Sequence, residues 1–204
     1  RFRKNNIVRL KKKGQKIAVI TYTNAACDEI KSRLEFDLAF HVSTIHSFAW
    51  DMINPYTHDI RTWLAANLEA EIADLTDKQS RARGTMTQTY KDRARKIELK
   101  NNRLSLLPSI KKFTYNPNGD NLEKESLNHE EVIKITAHFI QHKPLMQSIL
   151  IRKYPIILID ESQDTKKELV DAFFDVQEKQ PGVITLGLFG DMMQRIYADG
   201  KIDL

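Results

Sequence analysis

Three short apolar runs, each followed by polar residues, organise the chain. They are KIAVIT at residues 16–21, PIILID at 155–160 and VITLGLF at 183–189. Runs of this length that are rich in β-branched residues and apolar on both faces are typical of strands buried in a parallel sheet. After the first run, apolar residues recur at helical spacing within residues 24–34. Because strands alternate with helices, the pattern predicts an α/β fold with a parallel sheet covered by helices on both sides.

Polar residues predict where three of the helices begin. Asn24 is expected to cap the helix that follows the first strand. The segment HVSTIHSFAWDMI reads as a short strand running into a second helix, for which Ser43 or Thr44 is available as the cap. Thr165 and Glu168 form a T-x-x-E capping box, which predicts a third helix directly after the second apolar run.

The middle of the chain has a different character. Strand patterns nearly vanish between residues 54 and 152, and polar helical patterns take their place. Turn-forming residues cluster in YNPNGDN, at 115–121, which predicts a loop. We therefore interpret residues 54–152 as a mainly α-helical insertion subdomain, which divides the sheet-containing domain into residues 1–53 and 153–204.

The composition is that of a globular protein of the cell interior. Of the 204 residues, 41% are hydrophobic, which is enough for a core. The sequence contains neither an apolar run of about 18 residues nor the apolar centre of a signal peptide, so we expect a soluble, cytoplasmic protein without a membrane partner. The single cysteine, Cys27, excludes an internal disulfide framework and argues against a structural zinc site.

Charge is distributed unevenly along the chain, whose formal net charge is +5. Residues 1–16 carry eight basic side chains and no acidic one, whereas residues 160–175 carry six acidic side chains. Residues 78–103 carry nine Lys or Arg against Asp92 and Glu98. Such basic stretches either contact a polyanion such as nucleic acid or form a solvated helix face, and both interpretations stay open.

Candidate chemistry collects where the predicted strands end. Ligands of open parallel α/β sheets bind beyond the carboxyl ends of the strands, and the polar segments 21–24, 160–164 and 190–194 fall there. Asp160 directly follows a predicted strand, as does the acid that holds Mg²⁺ in many nucleotide sites, and Glu161 could orient or deprotonate a water. The alternative is that these two acids simply begin a polar loop.

Four segments in order resemble motifs of a known enzyme family. KIAVITYTNAACDEIKSRL, VSTIHSFAWDMI, PIILIDESQDT and LGLFGDMMQRIY resemble motifs Ia, Ib, II and III of the UvrD/Rep/PcrA family of superfamily 1 DNA helicases. The resemblance covers residues 16–53 and 153–197. It implies an incomplete RecA-like P-loop NTPase sheet interrupted by a helical insertion, with ATP and Mg²⁺ as cofactors.

The resemblance also implies roles for particular residues in ATP hydrolysis. Asp160 corresponds to the Mg²⁺ ligand, Glu161 to the residue that activates the attacking water, and Gln194 to the glutamine that senses the γ-phosphate. Four further residues correspond to positions that bind the nucleotide or link this loop to neighbouring motifs: Gln163, Asp164, Gly190 and Asp191.

A second set of residues resembles the family's contacts to single-stranded DNA or to a junction of single- and double-stranded DNA. The set consists of Thr21, Tyr22, Thr23, Asn24, His46, Ser47 and Tyr197. Aromatic faces stack on any base, and hydroxyl and amide groups hold the backbone, so the chemistry suits binding that ignores sequence. Taken alone, Tyr22 and Tyr197 could equally be half-buried core residues, and His46 a structural hydrogen-bonding residue.

The phosphate-binding sequence G-x-x-x-x-G-K-[ST] does not occur in these residues. By the resemblance it would precede Arg1, and a second motor domain would follow Leu204, so we expect residues 1–204 alone not to hydrolyse ATP. After QRIY the chain reads ADGKIDL, which departs from the family pattern. Two alternatives stay open: a non-catalytic module that binds DNA or protein, and the motor subunit of a helicase–nuclease system with a nuclease partner.

Overall fold

The structure of the protein is a computed structural model. It describes residues 4–82, 87–119, 123–161 and 166–190. The chain forms two compact units, of which one combines Arg1–Met52 with His129–Leu204 and the other consists of Ile53–Asn128.

The first unit contains a four-stranded parallel sheet in the order β2-β1-β3-β4 within the described residues. Its strands are β1 Ile17–Thr21, β2 Phe40–Thr44, β3 Ile156–Ile159 and β4 Thr185–Leu188. Its helices are α1 Lys4–Lys12, α2 Asn24–Arg33, α3 Ile45–Ile53, α6 His129–His142, α7 Pro144–Lys153 and α8 Lys167–Lys179. The parallel α/β architecture predicted from the three apolar runs is confirmed.

One face of the sheet packs against α1 and α2. Ile17 and Val19 of β1 and Val42 of β2 form a cluster with Leu10 of α1 and Cys27 of α2. These are alternate strand positions, which point to the same side of a sheet. Burial raises the pKa of the Cys27 thiol, which keeps this side chain in its neutral form as a small apolar core residue.

The opposite face of the sheet carries an aromatic cluster. His41 of β2 lies 5.3 Å from the ring of Tyr154 and 6.2 Å from the ring of Phe48 on α3, measured between ring centroids. Phe48 also lies 5.3 Å from Tyr154 and 6.0 Å from Phe173 on α8. Because Phe48, Tyr154 and Phe173 are fully buried, this cluster joins α3, α8 and the end of α7 beneath the sheet.

The helices α6 and α7 belong to this unit and not to the helical insertion. α6 packs against α8, and its Thr136 hydroxyl donates to the carbonyl of Ala49 on α3 at 3.1 Å. Gln141 donates to the Asp175 carboxylate of α8 at 3.0 Å. The predicted insertion of residues 54–152 is therefore too long at its end, since the compact helical unit stops at Asn128.

The second unit is built on two long helices, α4 Thr57–Ser80 and α5 Gln88–Leu106. α4 buries Ile60, Leu64 and Leu68, which recur every four residues on one face. Lys100 of α5 forms an ion pair with Glu71 of α4, which ties the helices together. The helical character predicted for this part of the chain is confirmed, and a short 3₁₀ turn follows α5 at Leu107–Ser109.

β4 differs from its prediction as a buried strand over 183–189. It spans Thr185–Leu188, with Thr185 exposed and the other three residues partly buried. Phe189, which directly follows the strand, and Val183 are exposed as well, whereas Ile184 directly before the strand is buried. The reason is position, because among the described strands β4 pairs with β3 alone and lies at one edge of the sheet.

The start of α8 also differs slightly from the prediction. Its N-cap is Lys166, no side-chain hydrogen bond caps it, and Glu168 lies in its first turn, where the helix dipole favours an acid. Thr165, the predicted cap, lies outside the described residues. None of the helices in the described ranges is both long and apolar enough to cross a bilayer.

Candidate functional site

The ends of β1 and β3 bring two predicted polar segments together. Ile20 and Ile159 are register partners, and the Asp160 amide donates to the Ile20 carbonyl at 2.8 Å. Thr21 of β1 and Asp160 after β3 therefore lie side by side at the carboxyl edge of the sheet. This is the edge at which ligands of parallel α/β folds bind.

Side-chain alternation places Thr21 and Asp160 on the same face of the sheet. Val19 and Leu158 are register partners, and both pack into the cluster beneath α1 and α2. Two residues further along each strand are Thr21 and Asp160, which share that face because successive side chains alternate. Thr21 also pairs in register with Thr44, the last residue of β2. Thr44 thus joins this row of polar residues. The sequence predicts Thr44 only as a helix cap and not as a member of this row, although Thr44 ends a strand just as Thr21 does.

The Thr21 hydroxyl is buried and has no hydrogen-bond partner within the described residues. A buried hydroxyl without a partner costs about 1 to 3 kcal/mol, so such groups are uncommon and call for a physical reason. The hydroxyl lies next to Asp160 at the carboxyl edge of the sheet, where a bound group could complete its hydrogen bonding.

The backbone at Glu161 is in the left-handed region. Its φ is +52°, which a residue with a side chain other than Asn or Asp seldom adopts. The conformation turns the chain sharply at the end of β3, so that Asp160 continues the strand and Glu161 leaves it. Strained backbone of this kind, costing about 1 to 3 kcal/mol, concentrates at functional sites. Both acids are partly buried.

The loop after β1 leads directly into α2. Thr23 is the N-cap, with its hydroxyl accepting from the Ala26 amide at 3.2 Å, and Asn24 is the first helical residue. The predicted cap at Asn24 is therefore wrong by one residue. Asn24 and Thr23 are exposed and Tyr22 is partly buried, so this predicted DNA-contacting segment reaches the surface at the same edge as Asp160.

Ser47 lies in the first turn of α3, where its groups help to start the helix. Its amide donates to the Thr44 hydroxyl at 3.3 Å, and that hydroxyl donates to the Ser47 hydroxyl at 2.9 Å. Thr44 is thus the cap, one of the two that the sequence allowed. The Ser47 hydroxyl oxygen is engaged here in holding the turn that also carries His46.

His46 is partly buried against a second histidine. Its ring lies 5.1 Å from the ring of His129 on α6, edge to face. Burial, with smaller contributions from His129 and Lys166, lowers the pKa of His46 to about 4. The imidazole is therefore neutral at cellular pH and offers a hydrogen bond rather than a positive charge. Neither His129 nor Lys166 was singled out from the sequence, because only the packing of α6 and α8 brings them to His46.

Several predicted site residues lie outside the described residues. Gly190 is the last described residue of this set. The Phe189 amide donates to the Ile159 carbonyl at 2.8 Å, so β4 ends beside β3, and the exposed Gly190 follows at the same edge. The structure gives no placement for the remaining members of the predicted set: Gln163, Asp164, Asp191, Gln194 and Tyr197.

Comparison with known proteins identifies the family. Residues 5–142 and 73–198 match the sequence model of the UvrD/REP helicase N-terminal domain. The chain belongs to this family. The two matched stretches overlap over residues 73–142, and between them they cover the whole of the helical unit and most of the other unit, so the helical unit is part of the UvrD/REP helicase N-terminal domain. The resemblance inferred from four sequence motifs is confirmed.

A curated relative is similar over most of the chain. The chain is 26% identical, over 255 aligned positions, to the Gabija protein GajB of Bacillus cereus (strain HuB5-5). The alignment covers 94% of the chain and 37% of GajB. This member of the UvrD/REP family therefore spans a little over a third of the length of that relative.

Proposed function

We propose that this chain is part of the motor of an ATP-dependent DNA helicase or translocase. One observation carries the proposal: in a chain of the UvrD/REP helicase family, the parallel sheet brings Thr21 and Asp160 to one edge and one face. Hydrolysis of ATP at this edge would be coupled to movement along single-stranded DNA held by the adjoining loops.

The residues present fit a magnesium–nucleotide site. Asp160 offers a partly buried carboxylate on a rigid strand end, and Thr21 offers a buried hydroxyl without a described partner. In the described ranges no three His, Cys, Asp or Glu side chains cluster as a metal cage. Mg²⁺ often takes only one or two carboxylates and fills its other positions with water and phosphate oxygens, so this donor set suits it. Bound there with ATP, Mg²⁺ would neutralise charge on the phosphates.

Glu161 is assigned the role of general base. It directly follows Asp160 at the end of β3, and its backbone is in the left-handed region while Asp160 continues the strand. One acid can therefore hold the metal while the other accepts a proton from the attacking water. Residues 1–204 lack the phosphate-binding loop sequence, so we expect no ATP turnover from them alone. That loop, and the residues that complete the site, would come from elsewhere in the full-length protein.

The segment from Tyr22 to Asn24 is assigned to single-stranded DNA. Tyr22 directly follows Thr21. A displacement of the end of β1 when nucleotide binds would therefore be transmitted to this segment through the backbone. Thr23 already accepts a hydrogen bond from the Ala26 amide, which leaves its hydroxyl proton for a phosphate oxygen. His46, being neutral, would donate or accept one hydrogen bond and add no charge.

Replacing Tyr22 with alanine tests the DNA assignment. Loss of one stacking ring costs about 1 to 3 kcal/mol, so we expect the Tyr22→Ala variant of the full-length protein to bind a single-stranded oligonucleotide roughly 5- to 150-fold more weakly. Fluorescence anisotropy with a labelled oligothymidylate measures this. The matched control is Tyr22→Phe, which keeps the ring and should bind like the wild type. Equal affinity for the alanine variant and the wild type would remove Tyr22 from the DNA site.

A further inference from the structure

Three helices on the side of the sheet that carries the aromatic cluster begin close to one another. His46 lies in the first turn of α3, His129 is the first residue of α6, and Lys166 is the N-cap of α8. The rings of His46 and His129 are 5.1 Å apart, edge to face. Lys166 is close enough to contribute to the lowered pKa of His46. We call these three residues the His46 cluster.

The packing of the helices explains why their first turns meet. The Thr136 hydroxyl of α6 donates to the Ala49 carbonyl of α3 at 3.1 Å, which joins these two helices. Gln141, near the end of α6, donates to Asp175 in the second half of α8 at 3.0 Å. Since α6 and α8 both begin near His46 and are joined again further along, they run side by side in the same direction. Contacts away from the cluster therefore hold its members together.

The charges around His46 suit an anion. Among the described residues, the groups that act on the pKa of His46 are His129 and Lys166, both bases, and no carboxylate opposes them. Glu130, the next residue of α6, pairs with Lys134 one turn further along at 2.6 Å. Each imidazole has a ring N–H to donate, and the lysine adds the positive charge that the neutral His46 lacks. A phosphate, with its several acceptor oxygens, fits this set of donors.

The cluster lies beside the segment that we propose to contact DNA. Thr21 and Thr44 are register partners at the ends of β1 and β2, and neighbouring strands are about 4.8 Å apart. Tyr22 directly follows Thr21, and the helix that carries His46 directly follows Thr44. A single strand that stacks on Tyr22 would thus have its backbone next to the start of α3. Contacts to that backbone hold a strand without reading its sequence.

The phosphate that fits the cluster belongs to DNA and not to the nucleotide. Thr21 and Asp160 share the face of the sheet that packs against α1 and α2, whereas α3 and α8 cover the opposite face. A nucleotide bound at Asp160 would therefore lie on the other side of the sheet from the His46 cluster.

We propose that His129 and Lys166, together with His46, bind one phosphate of the single-stranded DNA. The inference rests on the proposed motor function and adds two DNA-binding residues that lie outside the four sequence motifs.

The salt dependence of DNA binding tests the role of Lys166. Fluorescence anisotropy of a labelled oligothymidylate is measured with the full-length protein at several salt concentrations. Lys166→Gln should bind about 10-fold more weakly at low salt, and the slope of log affinity against log salt should fall by about 0.7, as expected for one lost phosphate contact. Its affinity for ATP should not change. The matched control is Lys179→Gln, at the exposed far end of α8, which should bind DNA like the wild type with the same slope.

Replacing His129 with phenylalanine separates a DNA contact from packing against His46. Phenylalanine keeps a ring edge to face with His46 but has no N–H to donate, so His129→Phe should fold like the wild type and bind the oligonucleotide about 5- to 10-fold more weakly. His142→Phe, at the exposed far end of α6, is the matched control and should leave the affinity unchanged.

The results distinguish this inference from the proposed function. If the wild type binds the oligonucleotide and both Lys166→Gln and His129→Phe bind it equally well, the phosphate subsite is overturned and the motor function stands. Weaker ATP binding by Lys166→Gln with unchanged DNA binding would overturn the subsite too, and would place Lys166 at the nucleotide. A wild type that does not bind the oligonucleotide would overturn the DNA-motor function and this inference together.

Discussion

The Glu161→Gln variant of the full-length protein is expected to bind ATP like the wild type and to hydrolyse it at least about 100-fold more slowly. Glutamine has nearly the same shape as glutamate and takes the same left-handed backbone at the same cost. Its amide cannot accept the proton of the attacking water, and a positioned general base typically contributes about 10²- to 10⁴-fold to a rate. Steady-state turnover and nucleotide affinity, measured on the same preparation, separate the two effects.

The control for this experiment is Glu178→Gln. Glu178 is an exposed residue of α8 in the same unit, and the substitution is chemically identical, so turnover should stay at the wild-type level. Unchanged turnover by Glu161→Gln would remove Glu161 from the role of general base. A parallel loss of ATP affinity would point instead to a residue that holds the nucleotide.

Truncating Phe48 to alanine is expected to lower the free energy of unfolding by about 3 to 5 kcal/mol. Phe48 is completely buried and lies within 6.2 Å of three other rings, those of His41, Tyr154 and Phe173. Its removal leaves a cavity that fixed neighbours on different elements cannot easily fill. Urea denaturation followed by circular dichroism measures the loss.

Phe189→Ala serves as the comparison for Phe48. Phe189 is 56% exposed beyond the end of β4, so its truncation should change the free energy of unfolding by no more than about 0.5 kcal/mol. A Phe48→Ala effect as small as that of Phe189→Ala would contradict the described packing of α3 on the sheet. Because Phe48 is two residues from His46, Phe48→Ala should also disturb the turn that carries His46 and Ser47.

The sequence was most informative where the chemistry is local. KIAVIT, read as a strand over 16–21, forms β1 over Ile17–Thr21, because a short run of β-branched residues has few other stable arrangements. The alternation of strands and helices around the sheet could be predicted from the same apolar runs and the helical patterns between them. The sequence also offered Thr44 as one of two possible caps of α3, because a threonine at the end of a strand can accept a hydrogen bond from the first turn of the next helix.

Long-range packing could not be read from the same patterns. Helical periodicity shows that α6 has an apolar face, but it does not show which core receives that face, and so α6 and α7 were assigned to the insertion. The same limit applies to His46, whose contact with His129 joins residues 83 positions apart. The exposure of β4 depends on its neighbours in the sheet, and the left-handed backbone at Glu161 depends on the turn that it makes there.

ATP hydrolysis by the wild-type full-length protein, with and without single-stranded DNA, tests the central claim most directly. The account predicts magnesium-dependent release of phosphate that rises when a single-stranded oligonucleotide is added, because the segment proposed to contact DNA directly follows Thr21 at the edge proposed to bind the nucleotide. Absence of hydrolysis in the presence of ATP, Mg²⁺ and single-stranded DNA would contradict a motor function and favour a non-catalytic binding module.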